Sequence, residues 1–469
     1  MRSDHDAQPA GSPALGSRAR RALAAGLPAT KPRRKSTPLA ALLAAAGLVL
    51  LVCATPAGAA TGGLAWSRVY DSPSHSDDGF VNAAAAPKGG VYVDGVTNGP
   101  ADDILVARYA ASGKRLWLRT YNGPGNLGDH PSASAVDAHG NLVVVGLANG
   151  ANIVVLKYTP AGHRLWARVY DDPSSSNEYG SSVAIDAAGD IYVAGGAIGA
   201  TEQIILAKYS PAGVRLWVRH YTGGGVGSVV TDIALDRAGN VYLTGDHTAI
   251  ATSDVLTLKY SRAGVRRWAR VWGGAAGGED YGAALAVGRA GVVYVVGATT
   301  GTSTDTDALA LKYNTSGALR WSRIKTSAGA LPDGYADVAL LGNGDVVAVG
   351  TTATNGNDVL VVRLTPGGAT RWGRTYDDAQ HKTDTAARVA VSRAGAIYVA
   401  GETYDAATSW NILTVKFAGA GVFDWAKSYV GAGNFDQQAF DSLAFNGGVY
   451  VAGSQEGVSS DGVLIRYKP

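Results

Sequence analysis

The chain has 469 residues, and its hydrophobic content of 46% is enough for a large core. Its formal charge of +3 comes from residues 1–60, which hold eight of the 41 basic and two of the 38 acidic residues. Residues 61–469 therefore carry 33 basic and 36 acidic residues, and this weak net acidity argues against a nucleic-acid-binding surface.

Residues 1–60 have the features of an export signal. Basic residues extend to Lys35, an apolar run follows from Leu39 to Cys53, and small residues come next. The run is shorter than the ~18 residues of a membrane span, so a membrane anchor is the less favoured alternative. Cys53 is the only cysteine, and the bulky Val52 before it fits a lipidation motif poorly. We expect a secreted or cell-surface protein with no disulfide and, after cleavage, no integral membrane domain.

From residue 61 onward the sequence repeats about every 50 residues. Each unit has a tryptophan followed two residues later by Arg or Lys and, in seven of eight units, four residues later by an aromatic residue. Side chains alternate along a strand, so these three positions share one strand face. The repeated tryptophans are Trp66, Trp117, Trp166, Trp217, Trp268, Trp321, Trp372 and Trp425.

Each unit also contains three further strand patterns. In the third unit they are Ser182–Asp186, Ile191–Gly195 and Ile204–Tyr209, and the last contains a cation that recurs in every unit. Glycine is abundant, at 63 residues, and no long helical pattern follows residue 60. The pattern indicates short strands joined by tight turns, and four strands per unit predict the blade of a β-propeller.

The units resemble the bacterial β-propeller repeat family known as SBBP. The shared text runs from Glu178 to Arg219 in the third unit, and it includes an Asp-Ala-Ala-Gly-Asp-Ile-Tyr-Val-Ala-Gly segment and a later Trp-x-Arg. The resemblance covers residues 64–469 and implies the propeller fold and a secreted or surface-exposed bacterial protein. It implies almost nothing about a ligand, because the blades define the family.

The two ends of the repeat region carry complementary halves of one unit. An unpaired Trp strand, Trp66–Tyr70, opens the region, and an unpaired third strand within Asp461–Lys468 closes it. Pairing them would cover two bare sheet edges. The sequence therefore predicts an all-β fold: residues 61–469 form an eight-bladed propeller of four-stranded antiparallel blades, closed by the N-terminal strand. Seven blades plus an extra unit is the alternative.

Loop lengths distinguish two faces of the predicted propeller. The spacing from the third-strand cation to the next Trp is always nine residues. The connection between the second and third strands varies instead, with 11 to 15 residues separating the second-strand glycine from that cation. Variable loops on a rigid scaffold commonly carry recognition. We call the face with these loops the variable-loop face.

An acidic residue stands seventeen positions before the second-strand glycine in seven of the eight units, at the entrance to the innermost strand. As a set these carboxylates could form an acidic collar that binds cations or a basic ligand. The simpler interpretation, which we favour, is that each accepts N–H groups in its own turn. The collar residues are Asp78, Asp129, Glu178, Asp280, Asp333, Asp384 and Asp436, with Ser228 in the remaining unit.

Two further features depart from the repeat. Trp410 follows Tyr404 in a long variable connection, where we expect a loop that could offer an aromatic platform for sugar or peptide. Asp305-Thr-Asp307 is weakly similar to calcium-binding loop sequences but lacks the glycine and glutamate of an EF-hand. The sequence therefore predicts no cofactor, with calcium as a weak alternative.

Catalytic signals are scarce in the sequence, which contains no His-Glu-x-x-His and no Gly-x-Ser-x-Gly. We therefore expect a non-enzymatic exported scaffold or binding module, a monomer whose partner is an extracellular protein or glycan. One alternative is a polysaccharide hydrolase or lyase with carboxylates at the channel mouth. Another is a metal-dependent structural role for the collar.

Overall fold

A computed structural model gives the fold of the repeat region. The predicted export signal and Asp436 lie outside the described residues. No helix within the described ranges is long and apolar enough to cross a membrane. The described ranges are 62–75, 77–98, 101–173, 175, 177–199, 201–249, 252–275, 277–300, 305–327, 332–353, 356–431, 437–438, 443–445, 447–456 and 459–469.

These residues form 33 strands and one 3-10 turn at Arg289–Gly291. The first strand is β1 (Leu64–Tyr70), and the following strands fall into eight units. Unit 1 has β2 (Asp78–Ala85), β3 (Val91–Asn98), β4 (Asp102–Tyr109) and β5 (Arg115–Tyr121). Unit 2 has β6 (His130–Val136), β7 (Leu142–Ala148), β8 (Asn152–Tyr158) and β9 (Arg164–Tyr170). Unit 3 has β10 (Asn177–Ile185), β11 (Ile191–Ile198), β12 (Glu202–Tyr209) and β13 (Arg215–Tyr221). Unit 4 has β14 (Gly227–Leu235), β15 (Val241–Thr248), β16 (Ser253–Tyr260) and β17 (Arg266–Trp272).

The second half of the chain continues the series. Unit 5 has β18 (Asp280–Val287), β19 (Val293–Thr300), β20 (Thr306–Tyr313) and β21 (Leu319–Lys325). Unit 6 has β22 (Asp333–Leu340), β23 (Val346–Ala353), β24 (Asn357–Leu364) and β25 (Thr370–Tyr376). Unit 7 has β26 (Asp384–Val391), β27 (Ile397–Asp405), β28 (Ser409–Phe417) and β29 (Phe423–Tyr429). Unit 8 has β30 (Gln437–Gln438), β31 (Leu443–Phe445), β32 (Val449–Gln455) and β33 (Asp461–Tyr467).

Within each of units 1 to 7 the four strands pair antiparallel in chain order, which is the order predicted from the sequence. Units 3 and 4 are also joined by a single parallel bridge between Glu202 and Gly227. In unit 8, β30 and β31 both pair with β32, and β32 pairs with β33. The fold is therefore all-β and built from four-stranded antiparallel sheets.

The burial of each strand follows from its place in the unit. The second and third strands are apolar on both faces, as in β7 and β8, because neighbouring units cover both sides of them. The two faces of the fourth strand differ, so that in β9 Trp166 and Tyr170 are buried on one face while Leu165 and Val169 on the other face are exposed. This difference is typical of a sheet edge with one face packed and the other in water.

Consecutive units pack face to face through buried apolar clusters. Tyr92 of unit 1, for example, belongs to the same cluster as Val144 and Leu156 of unit 2. A comparable cluster contains residues of units 8 and 1, among them Tyr450 and Phe80. Burying these side chains removes large apolar surfaces from water, which is the main stabilising contribution in such a fold.

The side chains of the repeated Trp-x-Arg motif contact the following unit. Trp166 donates from Nε1 to the carbonyl of Pro211 at 3.1 Å, and Arg168 donates from Nε to the carbonyl of Gly213 at 2.8 Å. Gly213 has a positive φ of 78°, and a side chain there would lie against the Trp166 ring. We call this pair of hydrogen bonds the Trp–Arg contact. It is also made by Trp66 and Arg68, Trp117 and Arg119, Trp268 and Arg270, Trp321 and Arg323, and Trp372 and Arg374.

The first strand lies beside the last strand of the chain. β1 pairs antiparallel with β33, with Val69 opposite Val463. No turn joins β33 to β1, since they belong to opposite ends of the chain. At this point Gly62 lies against the ring of Trp425, whose Nε1 has no hydrogen-bond partner within the described ranges. The repeated arginine is replaced here by Lys427, which we attribute to the missing turn glycine carbonyl.

Candidate functional site

The seventeen-residue spacing between the collar acid and the second-strand glycine reflects a close backbone approach. A methyl carbon on Gly195 would lie 2.0 Å from the carbonyl oxygen of Tyr179, the residue after the collar acid Glu178. Only glycine lets the innermost strand come this close. The same approach occurs at Gly95, Gly146, Gly245, Gly297, Gly350 and Gly401.

The collar acids anchor the connection that precedes them. The Oδ2 atom of Asp78 accepts the N–H six residues earlier at 2.6 Å, and Asp280 and Asp384 do the same at 2.6 and 2.8 Å. Asp129 and Asp333 make the equivalent bond. The carboxylates hold the blade-to-blade connection against the innermost strand, as the turn interpretation requires.

The same acids are buried rather than presented to solvent. The six described collar acids are at most 2% exposed. Burial raises the pKa of Glu178, partly offset by a hydrogen bond from Ser175, and burial raises the pKa of Asp384 to about 6. A collar that binds a large ligand would need carboxylates exposed to solvent. Ligand binding by the acidic collar therefore remains a prediction.

Unit 4 has no collar acid and has a serine and a histidine in its place. Ser228 is fully buried at the collar position, and its Oγ lies 3.2 Å from Nδ1 of His247. A side chain on Gly223 would also lie against this histidine. The imidazole therefore occupies space that a carboxylate and its connection fill in the other units.

Trp410 is not in a loop, so that expectation was wrong. It is the second residue of β28 and pairs across the hairpin with Tyr404 of β27. The two rings meet edge to face, with centroids 5.4 Å apart. The hairpin is extended in this unit because these two aromatic residues continue the ladder, so the tryptophan lies on a strand of the variable-loop face.

The Asp305-Thr-Asp307 segment lies partly within a strand. Asp307 belongs to β20 and is 8% exposed, and burial raises its pKa. Within the described ranges, neither residue belongs to a group of three carboxylates close enough to share a cation. Two such groups are present elsewhere: Asp71 with Asp78 and Asp461, and Asp377 with Asp378 and Asp384.

The repeated cations have structural partners. Lys157 forms a buried ion pair with Asp137 at 2.9 Å, and Lys208 pairs with Asp190 at 2.8 Å while its ammonium lies over the ring of Tyr192. In six units the arginine two residues after the repeated tryptophan stacks on that ring, as Arg168 does on Trp166 at 5.6 Å. These contacts give the repeated cations a structural role within the fold.

A group of polar residues that the sequence analysis missed lies on the variable-loop side of units 3 to 5. The Tyr179 hydroxyl donates to Oε1 of Glu202 at 2.8 Å, and the Tyr281 hydroxyl donates to the carboxylate of Glu279. Asp246 accepts the N–H of Gly282 at 3.0 Å. We call Tyr179, Glu202, Asp246, Glu279 and Tyr281 the acid–tyrosine cluster.

The electrostatics of this cluster are unusual for its partly exposed position. Enclosure by protein raises the pKa of Asp246 to about 7, and the charges of Glu279 and Glu202 contribute. Burial, with neighbouring carboxylates including Asp246, holds the pKa of both tyrosine hydroxyls well above the ordinary value. An aspartate that titrates near neutral pH beside two hydroxyl donors can exchange hydrogen bonds with a polar ligand.

A sequence signal for the cluster existed. The residue after the collar position differs between units, although the collar position itself is acidic in seven of the eight. It is Gly79, His130, Tyr179, Val229, Tyr281, Gly334, Thr385 or Gln437. The innermost strands contain a second position that differs between units, and Asp232 occupies it in unit 4. Burial raises the pKa of Asp232 to about 6, and the charge of Arg388 opposes this rise.

No protein-family model matches the chain, and no curated protein matches it. Solved structures do. Sqt1 from Chaetomium thermophilum is 13% identical, with a TM-score of 0.52 over 84% of this chain and 97% of that one. The β-propeller domain of the Trilobed protease from Pyrococcus furiosus is 6% identical, with a TM-score of 0.44 over 75% and 98%. The polysaccharide lyase Uly1 is 12% identical, with a TM-score of 0.45 over 74% and 92%.

The fold is a β-propeller. Successive four-stranded antiparallel sheets that pack face to face, each with its strands in chain order, are typical of this fold. At such low identity the similarity concerns the fold alone, and the function has to be argued from the propeller's own residues.

Proposed function

We propose that the protein is an exported, non-enzymatic scaffold or binding module of the SBBP type that binds an extracellular glycan through the variable-loop face. The observation that carries the proposal is the acid–tyrosine cluster, because it breaks the repeat on the face whose loops vary. Carboxylates and tyrosine hydroxyls can hydrogen-bond sugar hydroxyls, and tyrosine rings offer the apolar faces against which sugars pack.

We propose further that the units form a closed ring of eight blades. The pairing of β1 with β33 and the apolar cluster shared by units 8 and 1 support this arrangement. The test uses cysteines at Val69 and Val463, which lie opposite each other. Oxidation should cross-link them in the folded protein, whereas a pair at Val69 and Val271, the equivalent residue of unit 4, should stay reduced. Failure of the first pair would favour seven blades with an extra unit.

A glycan array tests the binding proposal. We expect saturable binding without turnover by the unmodified protein, and a loss of at least tenfold in affinity in the Glu279→Gln, Tyr281→Phe double variant. The matched control is Thr385→Val, which changes the same strand position as Tyr281 in unit 7 and should bind normally. Binding of a protein but of no glycan, or a double variant with unchanged affinity, would contradict the proposal.

The second candidate function is a polysaccharide hydrolase or lyase, and Asp246 is the specific observation in its favour. A carboxyl with a pKa of about 7 beside two other carboxylates suits general acid–base catalysis. Glycans that bind would be incubated with the protein and analysed for new reducing ends and unsaturated products. Turnover that Asp246→Asn abolishes would establish an enzyme and exclude the scaffold.

A further inference from the structure

The connection after β1 brings together carboxylates from both ends of the chain. Asp71 follows β1, Asp78 opens β2 and Asp461 opens β33. An oxygen atom of each carboxylate lies within 4.8 Å of one from each of the others. The backbone is fixed there, since the N–H of Asp78 donates to the carbonyl of Ser460 at 2.5 Å. The three carboxylates therefore lie where units 1 and 8 meet, beside a backbone hydrogen bond that joins the two units.

Two of these carboxylates have an unsatisfied oxygen. Asp78 is 2% exposed, and Oδ1 atoms of both Asp78 and Asp461 are buried with no hydrogen-bond partner among the described residues. Buried carboxylate oxygens without donors are costly unless a cation compensates them.

A similar group, with its third carboxylate from the same loop, lies between units 6 and 7. Asp377, Asp378 and Asp384 form the second group, and Oδ1 atoms of Asp377 and Asp384 are buried without a hydrogen-bond partner in the described part of the chain. Both loops also have a histidine four residues after the first aspartate, His75 and His381, with φ of 49° and 51°. Each histidine Nδ1 lies 2.6 Å from that aspartate. Two separate loops thus share the histidine–aspartate contact and two of the three carboxylate positions.

We propose that each carboxylate group binds a calcium ion, and that the ion held by Asp71, Asp78 and Asp461 ties unit 1 to unit 8. Calcium takes six to eight oxygen ligands at 2.3–2.6 Å, so oxygens on one ion lie at most about 4.6–5.2 Å apart. The separations at both groups fit this limit. Waters and backbone carbonyls would complete the shell. Strand pairing, an apolar cluster and backbone hydrogen bonds also join units 1 and 8.

The test is isothermal titration calorimetry of the EDTA-stripped protein with CaCl2 and, separately, MgCl2, to ~5 mM. Calcium sites of extracellular modules have dissociation constants of ~10⁻⁴–10⁻³ M, so this range covers them. We expect two calcium ions per chain, and one each for Asp461→Asn and Asp377→Asn. At a free calcium of about ten times the dissociation constant, hydrogen exchange of the β1 and β33 amides should slow about tenfold. Asp461→Asn should lose this effect.

Asp171→Asn is the matched control, because Asp171 has the same position as Asp71 in the connection to unit 3 but belongs to neither group. It should still bind two ions. If Asp461→Asn does not fold, Asp71→Asn replaces it, since Asp71 is on the surface. No binding of either cation, two ions in both ligand variants, or magnesium bound in preference to calcium would overturn the proposal.

Discussion

Replacing Trp66 by alanine measures how firmly the first strand is held. Trp66 is partly buried, donates from Nε1 to the carbonyl of Ala111 at 2.9 Å, and packs edge to face on Tyr450 at 5.9 Å. It therefore joins β1 to unit 1 and packs within unit 8. An undocked first strand would make none of these contacts.

The expected cost follows from those contacts. About 120 Å² of ring surface at ~25 cal/mol per Å² contributes about 3 kcal/mol, and the indole hydrogen bond adds about 1 kcal/mol. The unfolded chain already buries part of this surface, so we expect Trp66→Ala to lower the free energy of unfolding by about 3–4 kcal/mol. Chemical denaturation followed by far-ultraviolet circular dichroism measures it.

The internal reference is Trp166→Ala. Trp166 makes the same hydrogen bond in unit 2, is 9% exposed and carries an arginine over its ring. If the N-terminal strand is as well integrated as an internal one, the two losses should agree within about 1 kcal/mol. A loss below about 1 kcal/mol for Trp66→Ala, beside a full loss for Trp166→Ala, would refute the reasoning.

Three further predictions concern the repeat and its buried acids. Arg168→Lys removes the Nε bond to the turn glycine and should cost about 1–2 kcal/mol in denaturant titration, whereas Lys427→Arg should change stability by less than about 0.5 kcal/mol. If the two substitutions changed the free energy of unfolding by equal amounts, the absence of a turn glycine carbonyl near Lys427 would not explain why lysine replaces arginine there. Gly195→Ala places a methyl 2.0 Å from a carbonyl oxygen and should cost more than about 3 kcal/mol, whereas Gly342→Ala, with open space around it, should be neutral or slightly stabilising in thermal unfolding. Burial raises the pKa of Asp94 to about 6, above its ordinary 3.8, so its contribution to stability is complete below about pH 4 and is lost as the pH rises through 6. Asp94→Asn should therefore gain about 3 kcal/mol relative to the unmodified protein between pH 4 and pH 8, and an equal difference at both values would contradict the assigned pKa.

The sequence predicted the strand order because that order depends on local patterns. Alternating Trp, Arg and Tyr on the outer strand, apolar runs in the middle strands and glycine-containing turns each act within one unit, and repetition made them unmistakable. The pairing partner of Trp66–Tyr70 could be inferred as well, because only one unit lacked an outer strand. The hairpin position of Trp410 was missed, because a cross-strand contact with Tyr404 decides where that loop ends.

The candidate sites were harder to foresee. The collar acids were recognisable in the sequence, but their burial against their own connections depends on how the sheets pack. Asp246 has no motif around it, and its pKa is raised mainly by burial, with contributions from Glu279 of unit 5 and Glu202 of unit 3. Asp461 lies 390 residues from Asp71 and meets it only because β1 pairs with β33.

The sequence by itself determined the repeat, the strand types, the turn glycines and the candidate closing strand, since these follow from side-chain alternation and backbone conformation over a few residues. Only the tertiary structure decided which carboxylates are buried, which are shared between units, and where the symmetry of the repeat is broken. The physical reason is that desolvation and charge–charge interactions depend on distances between segments that are remote in the chain.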